Sequence, residues 1–327
     1  MHPVLFKIPF IGLPFNSYGL MLVIGFITAF YVIQHISRDI TPNPQLIING
    51  ALYTLIAGVV GARLFYVIHH YNNLDGSLLS LFAVWHGGLE LYGAAILIIP
   101  TLFIYLRYHK LPIRKWLDVI VIGLTLVIVF GRIGCFMRGC CYGKPSDLPW
   151  SVRFPYASDP YYSQIYPDEK RHRDEPRLEL PQDFFGYYKN ENGQSVYGLK
   201  PFEDLTDQQK EMVTHGQYRC LPVHPTQLYS SLNGLILFVI LYFFWRRSKR
   251  AEKDKNTRKL FTKPGSTFAL MLILYGITRF ILEALRDDNP FEFDSMTISQ
   301  NIGIVLIALG IVLMIVFQKL NFGSSRS

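Results

Sequence analysis

The chain has 327 residues, half of them hydrophobic, with a formal net charge of +8. Long runs of about 18 to 24 nearly uncharged residues, the length that crosses the hydrocarbon core of a bilayer, exclude a soluble helical bundle. The positive charge is concentrated in loops between those runs, so it reads as a membrane-topology signal and gives no support for nucleic-acid binding.

In chain order, seven runs read as transmembrane helices: 18–37, 46–69, 89–106, 117–136, 225–245, 266–285 and 299–318. They are apolar all round rather than striped, as segments surrounded by lipid or protein must be. Met1–Ser17 carries one lysine and several prolines and has no cleavage-like site after a short apolar stretch, so the first run is expected to stay as a helix. The expectation is an all-α polytopic membrane protein in three parts: helices 1–4 over 1–136, an outer insert over 137–224, and helices 5–7 over 225–327.

Orientation follows from lysines and arginines in short loops. The loop 246–263 holds nine Lys/Arg against two acids, and 107–116 holds four and none. Those loops are expected inside, which puts the N-terminus out and the C-terminus in. The insert then lies outside. It has eleven Lys/Arg and thirteen Asp/Glu and is rich in Tyr and Pro. It is too long for an ordinary loop, so a small head or lid is expected, with one short helix over Leu205–Thr214.

Ionisable groups within spans are costly and face a cavity or a partner. Here they collect near one depth. Tyr18 opens helix 1; Arg63 is near the outer end of helix 2; Glu90 and Tyr92 begin helix 3; and Arg132 ends helix 4. His224, Gln227 and Tyr229 open helix 5, and Arg279, Glu283 and Arg286 lie at the outer end of helix 6. Asp118, at the inner start of helix 4, is the exception. Single arginines at helix ends snorkel, and tyrosines form interfacial belts. Three arginines inside otherwise apolar helices fit a phosphate better, because the guanidinium fork pairs donors and stays charged when desolvated. A phosphate near the outer leaflet points to a phospholipid headgroup. Gly131, Gly134, Gly139 and Gly143 around Arg132 allow close helix packing or close approach of a ligand.

Cys135, Cys140 and Cys141 show no C-x-x-C pairing, and a zinc site would need a further ligand such as His224 or Cys220. No metal is expected. A disulfide from Cys220 to Cys140 or Cys141 stays open, as does burial as small hydrophobes.

WHGGLELYG (85–93), GRIGCFMRGCCYG (131–143), HPTQLY (224–229) and YGITRFILEALR (275–286) together resemble the prolipoprotein diacylglyceryl transferase family, as do SYGLMLVIGF (17–26) and GARLFY (61–66). The similarity runs in order through the membrane part and leaves out most of the insert. It implies a bacterial inner-membrane enzyme that moves diacylglyceryl from phosphatidylglycerol to the thiol of a lipobox cysteine on a prolipoprotein. Glycerol phosphate leaves, and no cofactor is needed. The resemblance makes Arg132 and Arg279 a phosphate clamp and lets Glu283 orient an arginine one turn away. Tyr18, Gly19 and Gly143 fall on family glycine and tyrosine positions, and Asp118 on an Asp that begins helix 4. The headgroup-binding set implied is Tyr18, Gly19, Arg63, Arg132, Gly134, Cys135, Gly143, His224, Gln227, Tyr229 and Arg279.

The departures are specific. Better-known members have His where Tyr92 stands, so Tyr92 becomes the candidate base, favoured by its register from Trp85 and its distance to Arg132, with the nearby His86 as the next candidate. Their Asn and Glu in the signature are Cys135 and Cys140 here. The attacking thiol belongs to the substrate, so these cysteines are not expected as nucleophiles. Two alternatives remain open on sequence alone: a phospholipid-dependent transferase with another acceptor, and a transporter or scaffold without catalysis.

Overall fold

In hydrocarbon no water can bond backbone N–H and C=O groups, so a spanning segment must satisfy them internally as helix. The computed structural model describes residues 4–7, 14–70, 90–189, 195–253, 261–291 and 296–319. Its long helices are α1 (Ser17–Ile36), α2 (Pro44–His69), α3 (Leu91–Tyr108) and α4 (Ile113–Arg138), followed after the insert by α7 (Thr226–Lys253), α8 (Ser266–Ala284) and α9 (Ile298–Lys319). Six of these are long and apolar enough to cross a membrane. The third predicted run corresponds to α3, whose stretch Tyr92–Tyr108 is apolar but shorter than the other six and has Pro100 within it.

Local signals set the ends. The Asn43 side chain accepts the Gln45 N–H at 2.9 Å, with Pro44 at the first helical position of α2. Gly139, at φ 95°, stops α4 by returning its N–H to the Cys135 carbonyl at 2.9 Å.

Helix α4 is the central post. It packs along α1 on one side and α7 on another, while α2 pairs with α3 and α8 with α9. Small residues allow these approaches. A Cβ on Gly61 would meet the Gly93 carbonyl oxygen at 2.3 Å, so α2 and α3 cross at a Gly–Gly contact. Away from these contacts the helices expose Ile99, Leu232, Ile281 and Val305 by more than half, as a lipid-facing surface would.

The insert contains α5 (Asp159–Ile165), a hairpin of β3 (Phe185–Lys189) and β4 (Ser195–Leu199), and α6 (Asp207–Thr214). A second short antiparallel pair, β1 (Val4–Lys7) with β2 (Pro14–Asn16), precedes α1. Helix α6 matches the helix expected there and carries a full capping box between Thr206 and Gln209. The insert buries its own apolar core, including Phe154, Tyr161, Phe184, Val213 and Cys220. It is tied to the segment after α8 by Asp287, which receives Arg171 at 3.1 Å and also Arg177.

Candidate active site

The signature loop after α4 is held in the middle of a backbone clasp. The Gly143 N–H donates to the His224 carbonyl at 3.1 Å, and the His224 N–H donates to the Lys144 carbonyl at 3.0 Å. On the other side the Lys144 N–H donates to Leu285 at 2.9 Å, and the Asp287 N–H to Tyr142 at 3.1 Å. Gly143 is required by close approach: a Cβ there would sit 2.6 Å from the His224 carbonyl oxygen. Two side chains at the start of α7 complete the clasp. Thr226 Oγ1 donates to the Cys141 carbonyl at 2.7 Å, and Gln227 Nε2 donates to the Cys140 carbonyl at 2.7 Å. The ends of α4, α7 and α8 are thereby fixed together.

The clasp gathers charge and sulfur at one place. Glu283 is buried, with Oε2 3.0 Å from Arg279 Nη2 and 3.3 Å from Arg286 Nη1. Its other oxygen accepts from Asn289 and from Thr297 Oγ1. Arg279 also donates to Ser299 Oγ at 2.7 Å, and Arg286 grips Asp288 with two donors at 2.8 and 2.6 Å. Arg132 is half-buried and lies within electrostatic range of Arg279, Tyr18, Cys135 and Cys141. Among the described residues it has no hydrogen-bond or ion-pair partner, whereas Arg279 and Arg286 do. A guanidinium in this state has its donors free for an anion.

The three cysteine sulfurs at 135, 140 and 141 lie within 4.8 Å of one another. Spacing alone did not predict this; the turn at Gly139 folds residues 140 and 141 back over the last turn of α4. Cys140 and Cys141 are half-buried and Cys135 is buried. Cys141 has left-handed backbone, φ 60°, which for a non-glycine costs on the order of 1–3 kcal/mol and is held by the clasp. Hydrogen bonds from the other two thiols, together with Arg286 and Arg132, push the Cys141 thiol below its usual range. All four cysteines are free thiols, and Cys220 packs in the insert core, so no disulfide joins it to Cys140 or Cys141.

The other sequence-predicted residues divide. Tyr18 lies against Gly134, where a Cβ would be 3.1 Å from its ring, and faces Arg132 and the thiols. A Cβ on Gly19 would meet nothing within 4 Å, so that side of α1 is open. His224 Nδ1 is 3.3 Å from the Tyr229 hydroxyl, which accepts from Trp150 Nε1 at 2.7 Å. Buried Arg63 lies over the Tyr66 ring on α2. Tyr92 is 63 % exposed and has no hydrogen-bond partner among the described residues, so the structure does not gather it into the cluster. His86 lies outside the described residues. Asp118 is far from the cluster in role: Oδ2 accepts the Gly265 N–H at 2.7 Å and Oδ1 the Phe268 N–H at 2.8 Å, so α4 caps the start of α8.

Sequence reasoning left Thr226, Asn289, Thr297 and Ser299 out of the site and gave Arg286 no role. Arg286 carried a signal, three residues beyond Glu283; the others are polar residues near helix ends with none.

The family model described as "Prolipoprotein diacylglyceryl transferase" matches residues 3–316. A phosphatidylglycerol–prolipoprotein diacylglyceryl transferase of Clostridium tetani (strain Massachusetts / E88) is 28% identical over 311 residues, covering 95% of this chain and 96% of the relative. The transferase of the same name from Rhodopirellula baltica is 28% identical over 354 residues, 92% of this chain and 72% of the relative. That of Finegoldia magna is 24% identical over 308 residues, 94% and 93%. With nearly the whole length matched, spans and insert included, the chain belongs to the prolipoprotein diacylglyceryl transferase family.

Proposed function

We propose that the chain transfers the diacylglyceryl group of phosphatidylglycerol to the lipobox cysteine thiol of prolipoproteins, forming a thioether and releasing glycerol phosphate. The observation that carries the reading is Arg132, a guanidinium without a described partner beside Arg279 and at the outer end of an apolar helix. The phosphate of the lipid headgroup is the anion such a pair suits. As the glyceryl carbon–oxygen bond breaks, charge grows on the departing phosphate, and preplaced donors stabilise that charge more than the starting lipid. Glu283 holds Arg279 and Arg286 in place rather than touching substrate. Tyr18 and the open side of Gly19 form the edge where the lipid enters, and the clasp around Gly143, His224 and Gln227 keeps the loop rigid.

The chain is read as seven spans, N-out and C-in, in a bacterial inner membrane, with 137–224 as an outer head between 1–136 and 225–327. The basic loops 107–116 and 246–263 support that direction. The test is transfer from labelled phosphatidylglycerol in nanodiscs to a lipobox peptide. A peptide with Ser for the lipobox Cys should receive nothing. Absence of transfer to the Cys peptide by folded protein overturns the reading.

A further inference from the structure

We propose that Cys135, Cys140 and Cys141 form a three-thiolate zinc site whose open fourth position takes the acceptor thiol. The proposal rests on the transferase reading and goes beyond it by naming how the thiol is activated.

The geometry is close to what zinc needs. Zn–S bonds are about 2.3 Å, so sulfurs around a tetrahedral zinc stand about 3.8 Å apart. The three Sγ atoms lie within 4.8 Å of one another, near that spacing. No His, Asp or Glu joins the group among the described residues. Structural zinc sites are closed by four protein ligands, whereas reactive ones keep three and leave a position open. The loop is built to hold the arrangement. Cys141 keeps left-handed backbone while Thr226 binds its carbonyl, and Gln227 binds that of Cys140. A zinc ion with three thiolates carries a net negative charge, which a fourth thiolate increases. Arg132, which has no ion-pair partner among the described residues, lies within electrostatic range of Cys141 and offsets part of it, whereas Arg286 is already paired with Glu283 and Asp288.

The chemistry matches the need of the reaction. A free thiol is mostly protonated near neutral pH, and a zinc-bound thiol is deprotonated outright. On binding, the lipobox thiol releases its proton to solvent. The bound sulfur then forms a bond to the glyceryl carbon, and the carbon–oxygen bond to phosphate breaks. The electron pair leaves with glycerol phosphate, which the arginines hold. The thioether product is a weaker zinc ligand than the thiolate and departs. Zinc is not oxidised or reduced.

The full-length protein in phosphatidylglycerol nanodiscs tests this by metal analysis and by cobalt exchange. Expected are one zinc per chain and loss of zinc in Cys135→Ser, Cys140→Ser and Cys141→Ser. Cobalt-loaded wild type should show thiolate-to-cobalt charge-transfer absorption. That absorption should grow on adding a lipobox peptide and stay unchanged with its Cys→Ser form. Removing zinc with a chelator should slow transfer on the order of 10²-fold or more, and added zinc should restore it. The cobalt spectrum uses the wild-type chain, so a variant that fails to fold leaves the test intact. Wild type that transfers lipid at full rate without zinc, or in which two of the three thiols are found as a disulfide, overturns the site and leaves the transferase reading standing. Zinc-loaded protein whose cobalt spectrum ignores the peptide overturns thiol delivery. Zinc-loaded protein with no transfer at all overturns the transferase reading instead.

Discussion

Arg279 Nη2 stands 3.0 Å from Glu283 Oε2, one turn along α8, and Arg286 approaches the same oxygen from the next turn at 3.3 Å. One buried carboxylate therefore positions two guanidiniums. Glu283→Gln keeps the shape and removes the charge, leaving two largely buried cations without it. Loss of one partner of a buried ion pair costs about 3–5 kcal/mol. The variant is expected to unfold at markedly lower temperature in detergent. Lipid transfer by the protein that remains folded should also fall, because Arg279 is no longer aimed. An unchanged melting temperature would show that the carboxylate is not needed for this packing.

Arg132→Lys and Arg279→Lys separate a phosphate clamp from a membrane anchor. Lysine keeps the cation but loses the planar fork. Each variant is expected to insert and fold, with transfer reduced about 10²–10³-fold, the usual loss when one such donor is removed. The double variant should be much less than additively worse if both act on one phosphate. Near-normal rates in both single variants would return these residues to anchoring.

Gly143→Ala places a methyl group 2.6 Å from the His224 carbonyl oxygen, so the clasp must open. Overpacking of this kind typically costs about 1–3 kcal/mol. Transfer should drop sharply because the displaced loop carries Cys140 and Cys141. Retained activity at full rate in Gly143→Ala would mean that the loop has room the structure does not contain.

Asp118→Ala tests a capping role at the opposite end of the bundle. Two N–H groups at the start of α8 lose their acceptor, for an expected loss of about 1–3 kcal/mol. Thermal stability should fall, while the rate per folded molecule and its dependence on phosphatidylglycerol stay as in wild type. A rate defect without a stability defect would place Asp118 in the chemistry.

Tyr92→Phe removes an exposed hydroxyl that has no described partner. Its effect on transfer is expected to stay under about 10-fold, below the 10²–10⁴-fold of a positioned acid–base group. A larger loss, restored by Tyr92→His, would make the hydroxyl the base.

Six of the spans were legible because bilayer solvation acts on each segment separately: an uncharged run of this length must be helical wherever its neighbours sit. The Arg279–Glu283 pair was legible for the same reason, since residues four apart on one helix always meet. Arg132 stood out by being charged at the end of an apolar run. The acceptors of Thr226 and Gln227 were not legible, since they are carbonyls more than eighty residues away along the chain. Asp118 as a cap on another helix, the sharing of Glu283 by Arg286, and the meeting of three sulfurs around the turn at Gly139 were equally hidden. Each is set by how helix ends pack on one another and how a loop is pinned between them. Periodicity reports which face of one element is apolar; only the packed bundle decides which polar ends meet.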